Sequence, residues 1–92
     1  VDLDRREVWR DGARRPLARG DWAILARLLE DDGMPVPHEE LLTAAFGSPY
    51  RDERVRLQAA IARLRRILGA RAGQSGPIRA VRGVGYRIEP LA

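Results

Sequence analysis

Ile78-Arg79-Ala80-Val81-Arg82-Gly83-Val84-Gly85-Tyr86-Arg87-Ile88 is the stretch that decides the fold. Apolar residues alternate on either side of a Gly-x-Gly, which predicts a β-hairpin over residues 77–89 whose tip needs glycine backbone angles. Arg82 stands at the mouth of that tip. Immediately upstream, residues Glu53 to Leu68 read as a helix that ends Arg63-Leu64-Arg65-Arg66-Ile67-Leu68. A cationic helix followed by a cationic ribbon suits a nucleic-acid duplex, the helix for the major groove and the ribbon for the minor groove.

The helix carries its own division of labour. At about 100° per residue, Leu57, Ile61, Leu64 and Leu68 fall in one stripe about 60° wide, which is the inward face. Val55, Arg56, Ala59, Ala62, Arg63 and Arg66 lie opposite, so three arginines are separated by small residues that leave room for a groove. Arg65 lies on the flank, placed for a backbone phosphate or for an acid of the same domain. Gly69 is the expected C-cap, and residues 71–77 connect to the hairpin.

Working back towards the N-terminus, Leu41, Leu42 and Ala45 form the inward side of a short helix from His38 to about Phe46. Pro37 opens it, Glu39 and Glu40 occupy its first turn, and Gly47 ends it. Val36 between Pro35 and Pro37 reads as an extended link. A first helix fits Gly20 to about Asp32, with Trp22, Leu25, Leu28 and Leu29 as its apolar positions and Asp21 in the first turn. Asp32-Gly33 stops it. Residues 1–18 read as short antiparallel strands, with Val8-Trp9-Arg10 entering an Asp11-Gly12 turn and Pro16 fit only for an edge or strand end.

Composition narrows the classes. Ninety-two residues with 45 % apolar content make one core and one domain. There is no cysteine, which removes disulfides, thiolate metal sites and cysteine nucleophiles and fits a reducing cytoplasm. No apolar run reaches the length of a membrane span. All 17 basic residues are arginine, whose guanidinium pairs bidentately with phosphate and guanine. Residues 1–50 hold 7 Arg against 10 acids, and residues 51–92 hold 10 Arg against 3, a net −3 facing a net +7. A polyanion would meet the second half. The opening Val1-Asp2-Leu3-Asp4, already in strand pattern, suggests a piece of a longer chain.

Taken together, Leu41-Leu42…Gly47, Leu57…Ile61-x-Arg63-Leu64-Arg65 and Ile78-x-x-Val81-Arg82-Gly83-x-Gly85-Tyr86-Arg87-Ile88 resemble the C-terminal effector domain of OmpR/PhoB-type two-component response regulators. The likeness runs over essentially the whole chain. It implies an α+β winged helix-turn-helix: an N-terminal antiparallel sheet (1–18), three helices (20–68) and a C-terminal β-hairpin wing (77–89), with a phosphorylatable receiver domain upstream. It also implies that the helix from Glu53 to Leu68 is the recognition helix, that Arg63 and Arg65 contact DNA, and that Arg82 enters the minor groove. Two protomers would bind tandem half-sites, dimerised by the receiver, so that the domain alone is a monomer. The 47–54 loop would face RNA polymerase or a neighbouring protomer. Several positions depart from the family's pattern. Val55 and Ala62 stand where relatives often carry arginine, Ala60 where many have histidine, Phe46 where Trp is common, and Pro37 where a Ser/Thr cap is usual. Arg56 and Arg66 are placed to compensate with a different sequence preference.

The candidate DNA-binding residues are therefore Arg56, Arg63, Arg65, Arg66, Arg82 and Tyr86, with Tyr86 expected mainly in the core and its hydroxyl near the surface. Arg79 and Arg87 read as outward strand residues near the phosphates. No residue set supports catalysis, a cofactor or a metal: His38 is the single histidine, expected on the surface, and no serine or carboxylate pairs with it in a triad pattern. The competing reading is a winged-helix docking module for polymerase or another regulator, its arginines meeting acidic protein. A third is a winged-helix RNA binder.

Overall fold

The computed structural model describes residues 7–10, 13–47, 53–70 and 76–89. The expected Val1–Asp4 strand pattern, the Asp11-Gly12 turn, and most of the 47–54 loop and of the 71–77 connection lie outside them, as does the side chain of Trp9. Eight elements follow in order: β1 (Glu7–Arg10), β2 (Ala13–Pro16), α1 (Arg19–Glu30), β3 (Val36–Pro37), α2 (His38–Phe46), α3 (Arg54–Ile67), β4 (Ile78–Val81) and β5 (Gly85–Ile88).

β1 and β2 pair antiparallel, Arg10 opposite Ala13 and Glu7 opposite Pro16, which puts Pro16 at a strand end as its missing N–H requires. The second sheet has the order β3-β5-β4, all antiparallel. Val36 is not a mere link: it pairs with Tyr86 and is fully buried, so the wing is a three-stranded sheet. A two-residue strand has no periodicity to announce it, and its flanking prolines argue for extended backbone only.

The core is built by Ile24, Leu25 and Leu28 of α1, Leu41 and Leu42 of α2, Leu57, Ala60, Ile61 and Leu64 of α3, and Val36, Ile78 and Ile88 of the sheet. The inward stripe expected for α3 is observed at Leu57, Ile61 and Leu64, with Ala60 joining it and Leu68 packing only at the core's margin. α1 is turned slightly from expectation, with Ile24 fully buried while Trp22 and Leu29 pack at the core's margin.

The helix ends show how local chemistry sets the frame. Gly47 caps α2 in the left-handed region at φ 74°, and Gly69 follows α3 at φ 104°. α1 stops where Asp32 takes φ 44° and Gly33 φ 92°. At the start of α2, Pro37 offers no side-chain cap. The N–H of His38 is instead satisfied by the carbonyl of Val84 at 3.0 Å, so the turn of the wing serves as the cap.

Candidate nucleic-acid interface

α3 presents Val55, Ala59, Ala62 and Arg66 outward, all exposed, directly opposite its buried stripe. Arg54, Arg56, Gln58 and Arg63 flank them and are exposed too. The helix lies against both α1 and α2 through its other side.

The six residues singled out from sequence do not act as one set. Arg56 is folded back: its Nη1 donates to Glu53 at 2.8 Å and its guanidinium stacks 4.6 Å from the Phe46 ring centre. Arg63, expected to contact DNA, points at α1. Its Nε and Nη2 donate to the two carboxylate oxygens of Asp21, each at 2.9 Å. Asp21 is only 4 % exposed, whereas the Arg63 side chain remains 48 % exposed. The hydrogen bonds donated to Asp21 hold the guanidinium above its usual basicity, against a smaller cost of burial. This fork-to-fork geometry uses one edge of the guanidinium, so the pair first serves to neutralise a buried acid.

Arg65, assigned to a phosphate or an acid, has neither among the described residues. Its Nε donates to the Ile78 carbonyl at 3.2 Å, and its guanidinium sits 5.9 Å from the centre of the Tyr86 ring. The last turn of α3 is thereby tied to the base of the wing. The ion pair foreseen for Arg65 belongs to Arg63 instead, two residues earlier. Tyr86 packs at the core's margin, and its ring meets His38 edge-on at 5.6 Å between centroids. His38 is accordingly half-buried rather than a plain surface residue, and burial, with Arg54 nearby, lowers its basicity.

Arg66 and Arg82 are exposed, and no described acid forms an ion pair with either. Arg82 opens the turn between β4 and β5. Below it, Arg79 and Arg87 face each other across the strands, a like-charge pair that Glu89 relieves at 3.0 and 3.8 Å. The two are thus partly neutralised within the wing.

Arg27 joins α1 to α2 by donating to Glu40, and it also donates to Asp31 at the end of its own helix, each at 2.6 Å. An arginine of the first half is thereby occupied by acids of the same half, whereas Arg54, Arg66 and Arg82 of α3 and the wing stay exposed.

Residues 12–88 match the family described as transcriptional regulatory protein, C terminal. The chain belongs to this family. The OmpR/PhoB resemblance read from the wing and the Arg-Leu-Arg helix is thus confirmed. Among curated relatives, the transcriptional regulatory protein KdpE of Mycobacterium tuberculosis is 34 % identical over 89 residues, 97 % of this chain and 39 % of KdpE. CutR of Streptomyces coelicolor is 35 % identical over 88 residues, 96 % of this chain and 39 % of CutR. The chain therefore spans about two-fifths of the length of these relatives. Among solved structures, the DNA-binding domain of RstA from Klebsiella pneumoniae, in complex with the RstA box, superposes with a TM-score of 0.81 at 29 % identity. That match covers 98 % of this chain and 89 % of the RstA chain. The fold is the winged helix-turn-helix of response-regulator effector domains.

The Asp21–Arg63 pair had no sequence signal, because its members stand 42 positions apart on different helices. Asp21 alone is indistinguishable from an ordinary first-turn acid, and it is the buried setting that makes it a partner.

Proposed function

We propose that this chain binds double-stranded DNA sequence-specifically, as the output domain of a longer bacterial two-component regulator. α3 enters the major groove, and Arg82 at the turn of the wing enters a narrow minor groove beside it. One observation carries the reading: α3 keeps a bare outward stripe ending in Arg66, while its neighbour Arg65 fastens the same helix to the wing that bears Arg82. Recognition helix and wing are then parts of one rigid cationic unit. Contacts to phosphates supply most of the affinity and fix the register. Arg66 takes the base-reading role, and Arg63 keeps only its outer Nη edge for DNA. The domain is a binding module and not an enzyme, acting in the cytoplasm. By likeness to its relatives it would occupy tandem half-sites as part of a dimer held by a receiver domain, with the 47–54 segment as the candidate contact to polymerase or the adjacent protomer.

Selection from a random duplex pool, followed by anisotropy titration of selected and scrambled duplexes, tests this. Selected DNA should bind tighter, and affinity should fall steeply between about 50 and 200 mM salt. Arg66→Ala should cost about 1–3 kcal/mol on the selected duplex and less on the scrambled one. Arg82→Ala should cost more with A/T than with G/C flanks. Equal binding to all duplexes would point to the protein-docking alternative, and preference for duplex RNA to the RNA-binding one.

A further inference from the structure

Val55 is the most exposed large apolar side chain among the described residues, at 74 %, and it is the second residue of α3. It packs against no core residue, and as a β-branched residue it does nothing for helix propensity. Single exposed valines are ordinary on protein surfaces. This one is placed differently: it heads the outward stripe that continues through Ala59 and Ala62 to Arg66. Of the arginines on either side of it, Arg56 is drawn away to Glu53 and Phe46, while Arg54 stays exposed on the flank of the stripe. Arg63, farther along, is drawn away to Asp21.

We infer that Val55 is a specificity-determining residue that contacts the 5-methyl group of a thymine in the major groove. The inference rests on the DNA-binding reading above and sharpens it. The N-terminal residues of a recognition helix are those that reach base edges. Among the four bases only thymine offers an apolar group in the major groove, and apolar side chains are what recognise it. Ala59 and Ala62 lack the length to obstruct the approach, so the helix can sit close enough for a two-methyl side chain to touch. Each half-site should then contain one thymine read by its methyl at the Val55 end, and a polar contact at the Arg66 end about three turns of helix away.

The test uses the 92-residue chain and the half-site enriched from a random duplex pool. Each thymine is replaced in turn by deoxyuridine, which removes the methyl and leaves base pairing intact. For the unaltered chain, one position should weaken binding about fourfold, the worth of one buried methyl group. Val55→Ala should erase that difference, Val55→Thr should keep part of it, and Arg66→Ala should leave it intact. Circular dichroism melts should coincide for all chains altered at position 55, since the side chain is not in the core. Deoxyuridine without effect at every position overturns the thymine contact while leaving sequence-specific binding standing. Retention of the full effect in Val55→Ala, or its loss only in Arg66→Ala, assigns the methyl to another residue and likewise overturns it. A pool that yields no enriched sequence removes the DNA reading and this inference together.

Discussion

Asp21 is a carboxylate held almost out of contact with water, and Arg63 reaches it across 42 positions of sequence with both oxygens engaged. Truncating the arginine would strand the acid, whereas the reverse change would free a side chain that is already half in solvent. Arg63→Ala should therefore destabilise the domain by about 1–3 kcal/mol, towards the lower end because the pair is partly screened. Asp21→Asn, which removes the buried charge and keeps an acceptor, should cost less. Urea midpoints of the two proteins decide the point. Unchanged stability in Arg63→Ala would mean the pair is solvated and the arginine free for DNA. The candidate site was legible in sequence to this extent: the outward face of α3 and the exposure of Arg66 and Arg82 follow from helical period and turn position. How the other arginines are spent was not legible. Arg56 goes to Phe46 and Glu53, Arg63 to Asp21, and Arg65 to a strand carbonyl, and each of these depends on which element packs beside α3.

The wing shows the same boundary at the level of elements. Its two glycines looked alike in sequence, both required by the turn, but they serve different needs. Gly83 takes φ 79° with open space around it, so the backbone angle is the requirement. Gly85 has no such angle; a Cβ there would lie 1.9 Å from the carbonyl oxygen of Val36, so close approach of β3 is the requirement. Gly83→Ala should cost about 1–2 kcal/mol, the ordinary penalty of a left-handed alanine. Gly85→Ala should cost more, because the obstruction is backbone and no rotamer relieves it. It should also speed exchange of the His38 amide proton, which the Val84 carbonyl otherwise holds. If the two variants melt together and His38 stays protected, the β3–β5 seam tolerates displacement. The three helices and the β4–β5 hairpin were legible because each has a period, a stop residue or a turn signature. β3 was not, because pairing between Val36 and Tyr86 is a fact about two segments 50 positions apart.

For the molecule as a whole, charge and burial converge on the seam where α2, α3 and the wing meet. His38 begins α2, gives its amide proton to Val84, and sets its ring against Tyr86, over which Arg65 of α3 lies. Burial, reinforced by Arg54 and opposed by Glu39, holds the imidazole below its ordinary pKa of about 6.5. The sign of the consequence is fixed. Below about pH 6.5 the unfolded chain takes up a proton at this histidine that the folded chain resists. Stability is thus fully present above that value and is lost as pH falls towards and through the lower folded value. Urea midpoints measured from pH 7.5 down to pH 5.5, a range above most carboxylate titration, should decline for the native chain. His38→Phe keeps a ring beside Tyr86 and cannot titrate, so its midpoints should stay level over the same range. A parallel decline in both would place the acid sensitivity elsewhere than at this histidine. A level profile in His38→Phe alone would establish that the seam beneath the wing is the part of the domain most sensitive to acid.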